Sequence, residues 1–348
     1  VDRATIDVYE QRGLDWAARR RAVRRADARA FARDVHGRGV RLDAGCGAGR
    51  YTADLGLPVV GLDAARSMLE QCRQVAPGAL LVQGDLEALP FGVGTLAGAW
   101  ANMSYLHVAR TGLPLALADL HGALAVGAPL DIQVLHGDYE GNALPDDDVG
   151  GRFFAAWRRD DFEDVLTGAG FAPSGLTVDN DVVRARAMRA RTLPDFVGPG
   201  LTLLVVGLNP SLYAADAGVG FARPGNRFWP SALAAGLVTR DRDPRHAVLV
   251  DGVGMTDLVK RATVGAGELS RAEYRLGLAR VERLVRWLAP GAVCMVGLAG
   301  WRAAADDAAQ PGVQPRTLGE RPVYVMPSTS GANAHAGPAD FVAHLRAA

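Results

Sequence analysis

The chain has 348 residues, 49% of them apolar, and its 38 lysines and arginines balance 38 acidic residues. That length accommodates two domains with a core each, and the composition speaks against both disorder and a strongly basic nucleic-acid binder. Neutrality leaves DNA binding open, because only a local basic face is needed. Cys46, Cys72 and Cys294 are far apart and form no CxxC, so a disulfide scaffold, a zinc site and a four-cysteine iron–sulfur cluster are not expected. No run reaches the roughly 18 apolar residues of a membrane span, and residues 1–10 lack the apolar core of a secretory leader. The expectation is a monomer in a reduced bacterial cytoplasm, without metal.

An arginine-rich helix is predicted over Ala4–Phe31. Strand signals then alternate with helical ones at Val40–Asp43, Val59–Asp63, Leu80–Gln83, Leu96–Ala101 and Pro129–Leu135. This alternation is that of a doubly wound parallel sheet. The first strand runs into Asp43-Ala44-Gly45-Cys46-Gly47-Ala48-Gly49, where glycines permit a tight turn and a close backbone approach to a ligand. Asp63 ends the next strand about 20 residues later, where a carboxylate can take both ribose hydroxyls. Asp85-Leu86 ends the third, in GDLEALPF. Asp160 with Glu163 predicts a capping box for a helix that stops near Gly168 and Gly170.

Arg184, Arg186, Arg189 and Arg191 alternate with alanine or methionine before Pro194, Gly198, Pro199 and Gly200 break regular structure. One reading is a last strand with one solvated face followed by a linker; the other is a basic strip beside a DNA backbone. Leu203–Val206 then reads as a short buried strand. It ends in Gly207-Leu208-Asn209-Pro210-Ser211, a turn that sets a carboxamide at the strand's carboxyl end, where open α/β sheets bind ligands. Phe221 lies on a turn between Gly220 and Ala222, and Arg223-Pro224-Gly225-Asn226 leads into Arg227-Phe228-Trp229. Ser270 with Glu273 predicts a second capping box, and Leu278, Val281, Leu284, Val285 and Leu288 follow at helical spacing. Arg271, Arg275, Arg280, Arg283 and Arg286 read as solvated faces of that helix. Ala292–Gly297 and Val323–Met326 read as strands, and Gln310–Pro315 as an irregular loop.

GLNPS followed by GFARPGNRFW resembles the mismatch-specific uracil/thymine DNA glycosylase family, which carries G-I-N-P-G and P-x-N-x-F-W at this spacing. GMTDLVKRAT from Gly254 is similar to its G-x-T-x-L-V-x-R-x-T segment, and VYVMPSTSGAN from Val323 to its strand-then-loop segment. The resemblance implies an α/β/α glycosylase-like domain over 201–348 that flips a uracil or mispaired base out of double-stranded DNA. It implies that Asn209 orients the attacking water, that Phe221 covers one face of the base, and that Gly207, Leu208, Pro210, Ser211, Asn226 and Ser330 complete the pocket. Gly331, Ala332 and Asn333 would enter the minor groove. No cofactor is implied. Three positions depart from the family: Ala332 replaces a bulky wedge, Ala334 the following arginine, and Asp257 a lysine. His335 reads as a surface residue. Lys260 is the only lysine, and arginine cannot form a Schiff base with an abasic sugar, so a monofunctional enzyme is expected.

The first half resembles the class I S-adenosylmethionine-dependent methyltransferases in its DxGxGxG turn, the acidic end of its second strand and its GD-x-x-x-LPF block. That implies a Rossmann-like domain over 1–186, joined by a linker at 187–200. Asp43, Gly45, Gly47, Gly49, Asp63, Asp85 and Leu86 would hold S-adenosylmethionine. Asn102-Met103-Ser104-Tyr105 follows the fourth strand, where a residue facing a methyl acceptor often sits; the plainer reading of Tyr105 and His107 is packing at a strand–helix junction. No NPPY or DPPY is present, which speaks against amino-methylation of DNA bases. The alternative to a glycosylase is a methyltransferase that the C-terminal domain recruits to nucleic acid.

Overall fold

The computed structural model describes residues 1–36, 39–144, 147, 149–333 and 336–348. The chain forms two compact units, Val1–Thr167 with Phe171–Ala190, and Gly168–Gly170 with Arg191–Ala348. The first contains β1 (Val40–Ala44), β2 (Val59–Asp63), β3 (Leu80–Gln83), β4 (Leu96–Asn102), β5 (Pro129–His136), β6 (Glu140–Gly141), β7 (Phe154–Trp157), β8 (Phe171–Asp179) and β9 (Val182–Arg189). Their order is β3-β2-β1-β4-β5-β7-β6, and β9 pairs with both β5 and β8. The strands from β3 to β7 are parallel, while β9 is antiparallel to β5 and to β8. Leu42, Leu62, Ala99, Trp100, Ile132 and Val134 are fully buried, as expected of parallel strands covered on both faces. The strand order reverses between β1 and β4, which opens a crevice at their carboxyl ends.

The expected helix Ala4–Phe31 is two helices, Arg3–Arg19 and Arg25–Asp34. Arg24, in the break, accounts for the difference. Its guanidinium donates to Asp131 Oδ1 at 2.8 Å, Gln133 Oε1 at 2.9 Å and Asn102 Oδ1 at 3.0 Å, and lies 4.4 Å from the centre of the Trp100 ring. A buried cation needs this much pairing, and the second helix takes its own direction to bury Ala28 and Phe31. The capping box at Asp160 is also corrected. The helix starts at Arg159, and its guanidinium pairs with both Asp160 and Glu163. The segment RARAMR forms β9, with Val183, Ala185 and Ala187 buried and Arg184 and Arg186 paired to Asp27 and Asp131. That is a last strand with one wetter face.

The second unit holds β10 (Leu203–Gly207), β11 (Val253–Asp257), β12 (Ala292–Val296), β13 (Gly312–Val313) and β14 (Val323–Met326), in the order β11-β10-β12-β14-β13. All pairs are parallel except β13 with β14, and β13 lies inside the stretch expected to be irregular. Phe228, Trp229, Phe341, Val205, Met255, Cys294 and Met326 share one buried cluster. Within the predicted linker, Leu193, Asp195 and Val197 are buried, and Phe196 bridges to Met255. The capping box at Ser270 and Glu273 is present and starts the helix Arg271–Leu288. Arg280 corrects the reading of that helix's arginines, because it is buried. Among the described residues no helix is long and apolar enough to cross a membrane.

Candidate functional site

In the first unit a cavity of about 670 Å³ opens at the carboxyl ends of β1 and β4, lined by Asp43, Gly45, Gly47, Asp63, Leu86 and Met103 among others. The three glycines after β1 do different things. A methyl group on Gly45 would come within 2.3 Å of Ser104 Cβ, and one on Gly49 within 2.7 Å of Cys72 Sγ, whereas one on Gly47 would meet nothing within 4 Å. Gly45 and Gly49 allow packing, and Gly47 faces open space; Gly49 and Asp85 are not among the lining residues. Asp63 accepts from Gly47 N at 2.8 Å and Ala65 N at 2.9 Å, which fastens the glycine turn to β2. Burial raises its carboxyl to about 6 against those two bonds. Burial likewise raises Asp43 to about 7, although Thr52 donates to it at 2.6 Å. Tyr105 is fully buried, as a packing role requires, whereas His107 hydrogen-bonds Phe153 O and the Tyr9 hydroxyl and also lines the cavity.

In the second unit the carboxyl end of β10 turns through Leu208 and Asn209. The side-chain nitrogen of Asn209 donates to Arg261 O at 2.9 Å, Thr263 Oγ1 at 2.8 Å and Pro210 O at 3.2 Å. Two of these partners are carbonyls that only accept, so the nitrogen must face them and Oδ1 faces the other way. The turn itself is laced to the segment that follows β11. Leu258 N donates to Gly207 O, Val259 N to Leu208 O and Thr263 N to Pro210 O. The GLNPS and GMTDLVKRAT blocks are therefore one structural piece. Thr263, which fixes the amide, is a residue that sequence reasoning missed; its only signal was its place at the end of the second block.

Phe221 has a φ of 57°, and its ring stacks on Phe228 at 4.3 Å between centroids and 24° between planes. A methyl group on Gly207 would lie 3.4 Å from Phe221 Cζ, so the phenyl ring stands over the end of β10. Asn226 accepts from Phe228 N at 2.9 Å and Ser211 from Ala214 N at 3.1 Å, so both hold the first turn of a helix. The Ser330–Asn333 loop is carried by Arg227, another residue the sequence left unassigned. Its guanidinium donates to the carbonyls of Ser330, Asn333 and Ala336 and packs 4.8 Å from the Phe341 ring centre. Gly331 lies against Gly225, where an added methyl group would meet the carbonyl oxygen at 3.1 Å. Ala334 and His335 fall outside the described residues.

Behind the turn is a buried ion network. Asp195 receives Lys260 Nζ at 2.8 Å, Arg280 at 2.7 Å and the Thr256 hydroxyl at 2.6 Å. Burial pushes the Asp195 carboxyl up, but Arg280 and Lys260 outweigh it and hold the group below the ordinary carboxylate range. Asp257 sits beside the network, and burial raises its carboxyl to about 6.

Residues 42–127 match the family model of a methyltransferase domain, and residues 194–348 that of the uracil DNA glycosylase superfamily. Among solved structures, a SAM-dependent methyltransferase from Methanosarcina mazei is 14% identical, covering 46% of this chain and 97% of its own, with a TM-score of 0.41. The 1,6-didemethyltoxoflavin-N1-methyltransferase of Burkholderia thailandensis is 22% identical, covering 52% and 84%, with a TM-score of 0.42. A third, from Mesorhizobium loti, is 18% identical, covering 46% and 96%, with a TM-score of 0.38. The chain thus carries a methyltransferase domain and, C-terminal to it, a domain of the uracil DNA glycosylase superfamily.

Proposed function

We propose that the C-terminal domain is a monofunctional glycosylase that excises uracil or another mispaired base from double-stranded DNA, and that the N-terminal domain binds S-adenosylmethionine and transfers its methyl group. The observation that carries the first part is the fixed orientation of Asn209, whose nitrogen is held by Arg261 O and Thr263 Oγ1. Its Oδ1 is left to position a water. A stacked base must first leave the duplex, at a cost of a few kcal/mol that is least at a mispair. Phe221, stacked on Phe228 by one face, would cover the extruded base with the other. As the glycosidic bond breaks, the sugar becomes electron-poor and the base carries away the electron pair, while the water held by Asn209 adds to C1′. Lys260, the one lysine, is salt-bridged to Asp195 and 11% exposed, which favours hydrolysis without strand cleavage.

The test is incubation with a duplex containing one G·U pair. Alkali-labile sites should appear while the untreated strand stays whole; no labile sites, or a borohydride-trapped adduct, would reject the reading.

For the first unit, Asp63 would accept both ribose hydroxyls of S-adenosylmethionine and Gly47 would let the cofactor approach the backbone. Burial raises the Asp63 carboxyl to about 6, and only its ionised form accepts two hydroxyl bonds. Affinity should therefore be level above pH 7 and weaken about tenfold per pH unit below 6. Calorimetry across pH 5–8 checks this, and Asp63→Ala should remove both the affinity and its pH dependence.

A further inference from the structure

Asp257 is the titratable group the proposed hydrolysis leaves without a part. It ends β11 in register with Gly207 at the end of β10, so it occupies the same sheet edge as Asn209, two residues further along. Its carboxylate points across that edge: a methyl group on Gly207 would lie 2.5 Å from Asp257 Oδ1 and 3.4 Å from Phe221 Cζ. Neither carboxylate oxygen has a hydrogen-bond partner among the described residues. The nearby cations are engaged elsewhere. Lys260 donates to Asp195, and Arg280 donates to Asp195, to Thr256 and to the main-chain carbonyl of Asp257. Asp257 is thus a half-buried carboxyl group without a hydrogen-bond partner, at the same strand end as Asn209 and with Phe221 Cζ also beside Gly207, where it is free to act on a bound molecule.

We infer that Asp257 faces the edge of the flipped base and donates a proton to it as the glycosidic bond breaks, so that the base departs neutral rather than as an anion. This deepens the glycosylase reading and rests on it. The step balances with water as the only co-reactant. The C1′–N bond breaks with its electron pair going to the base, and the Asp257 proton moves to an acceptor atom on that base. Water adds to C1′ and gives its proton to solvent, from which Asp257 is reprotonated. The substrate class is accordingly a base with an acceptor nitrogen or oxygen on the edge it turns toward β11, including bases that leave poorly as anions. Burial together with Asp195 favours the protonated form, and Lys260 and Arg280 oppose it, with the balance at about 6; an acid so poised is effective near neutral pH.

The experiment is single-turnover base release from G·U and G·5-fluorouracil duplexes over pH 5.5–8.5, by the full chain and its Asp257→Asn and Asn209→Ala variants. The wild-type rate for uracil should fall as pH rises through about 6. Asp257→Asn should be slower by about 10²-fold at pH 6, flat with pH, and within a few-fold of wild type at pH 8.5. Fluorine makes the base a better anion, so the preference for 5-fluorouracil should be small in the wild type and large in Asp257→Asn. The variant should also melt no lower than wild type at pH 8, because a carboxyl with a raised folded-state pKa loses stability on ionising. Release that depends on Asn209 but is identical in wild type and Asp257→Asn, in rate, pH profile and leaving-group preference, overturns this inference alone. No release by wild type overturns the glycosylase reading beneath it.

Discussion

Asn209→Ala is expected to cut the single-turnover rate of uracil release by at least about 10²–10³-fold, the range typical of removing one polar group that acts on the transition state. Duplex affinity measured by fluorescence anisotropy should change little, because phosphate contacts supply most of it. The orientation of the amide makes a second substitution more informative. An aspartate at 209 would offer a stronger base, and a scheme limited by proton removal from water would predict a faster enzyme. In this structure the side-chain nitrogen donates to Arg261 O, Pro210 O and Thr263 Oγ1. A carboxylate cannot donate to two carbonyls, and their lone pairs would repel it. Asn209→Asp should therefore also be slow, and faster release by it would show that geometry at this turn is not limiting.

The second large effect concerns stability. Asp195→Ala should lower the unfolding free energy of the C-terminal unit by about 3–5 kcal/mol, as expected when one member of a buried ion pair is removed and its partners remain. Asp195 neutralises both Lys260 and Arg280 and also accepts from Thr256. Asp195→Asn should cost nearly as much, since an amide restores hydrogen bonding but no charge. Urea denaturation followed by tryptophan fluorescence reports the loss. The pH sign follows from the depressed folded-state value of Asp195. Its contribution is complete above the ordinary carboxylate pKa and disappears as pH falls through the lower folded-state value. Wild type should thus lose stability at acid pH, while Asp195→Ala loses less over the same range.

The sequence made the sheets legible because buried parallel strands are short apolar runs with glycine-rich ends. β2, β3 and β14 run over the expected residues, and β1, β4, β5 and β10 extend one residue further. β11 carries no strand signal of its own, because VGMTD mixes glycine, threonine and aspartate where such a signal needs an apolar run. The errors come from pairing across long distances. Arg24 breaks the first helix because Asp131 lies 107 residues away, and Arg280 is buried because Asp195 lies 85 residues away. Periodicity assigns an arginine to the wet face and holds no information about such partners.

The same limit applies to the candidate site. Asn209 and Phe221 could be picked out from the turns that carry them, and the structure sets both around Gly207. Thr263 and Arg227, which hold the amide and the Ser330 loop, act through main-chain carbonyls and a hydroxyl that no local pattern reveals. Asp257 was visible only as a departure from a family lysine. Its unpaired carboxylate emerged when the register of β10 and β11 set it beside Gly207.

The most direct measurement is a crystal structure of the protein with a G·U duplex whose deoxyuridine carries a 2′-fluorine, which slows cleavage and traps the bound state. The expected result is a uracil swung out of the helix against the face of Phe221 turned away from Phe228, with Asn209 Oδ1 hydrogen-bonded to a water directly below C1′. A uracil still paired in the duplex, or an Asn209 oxygen turned away from C1′, would contradict it.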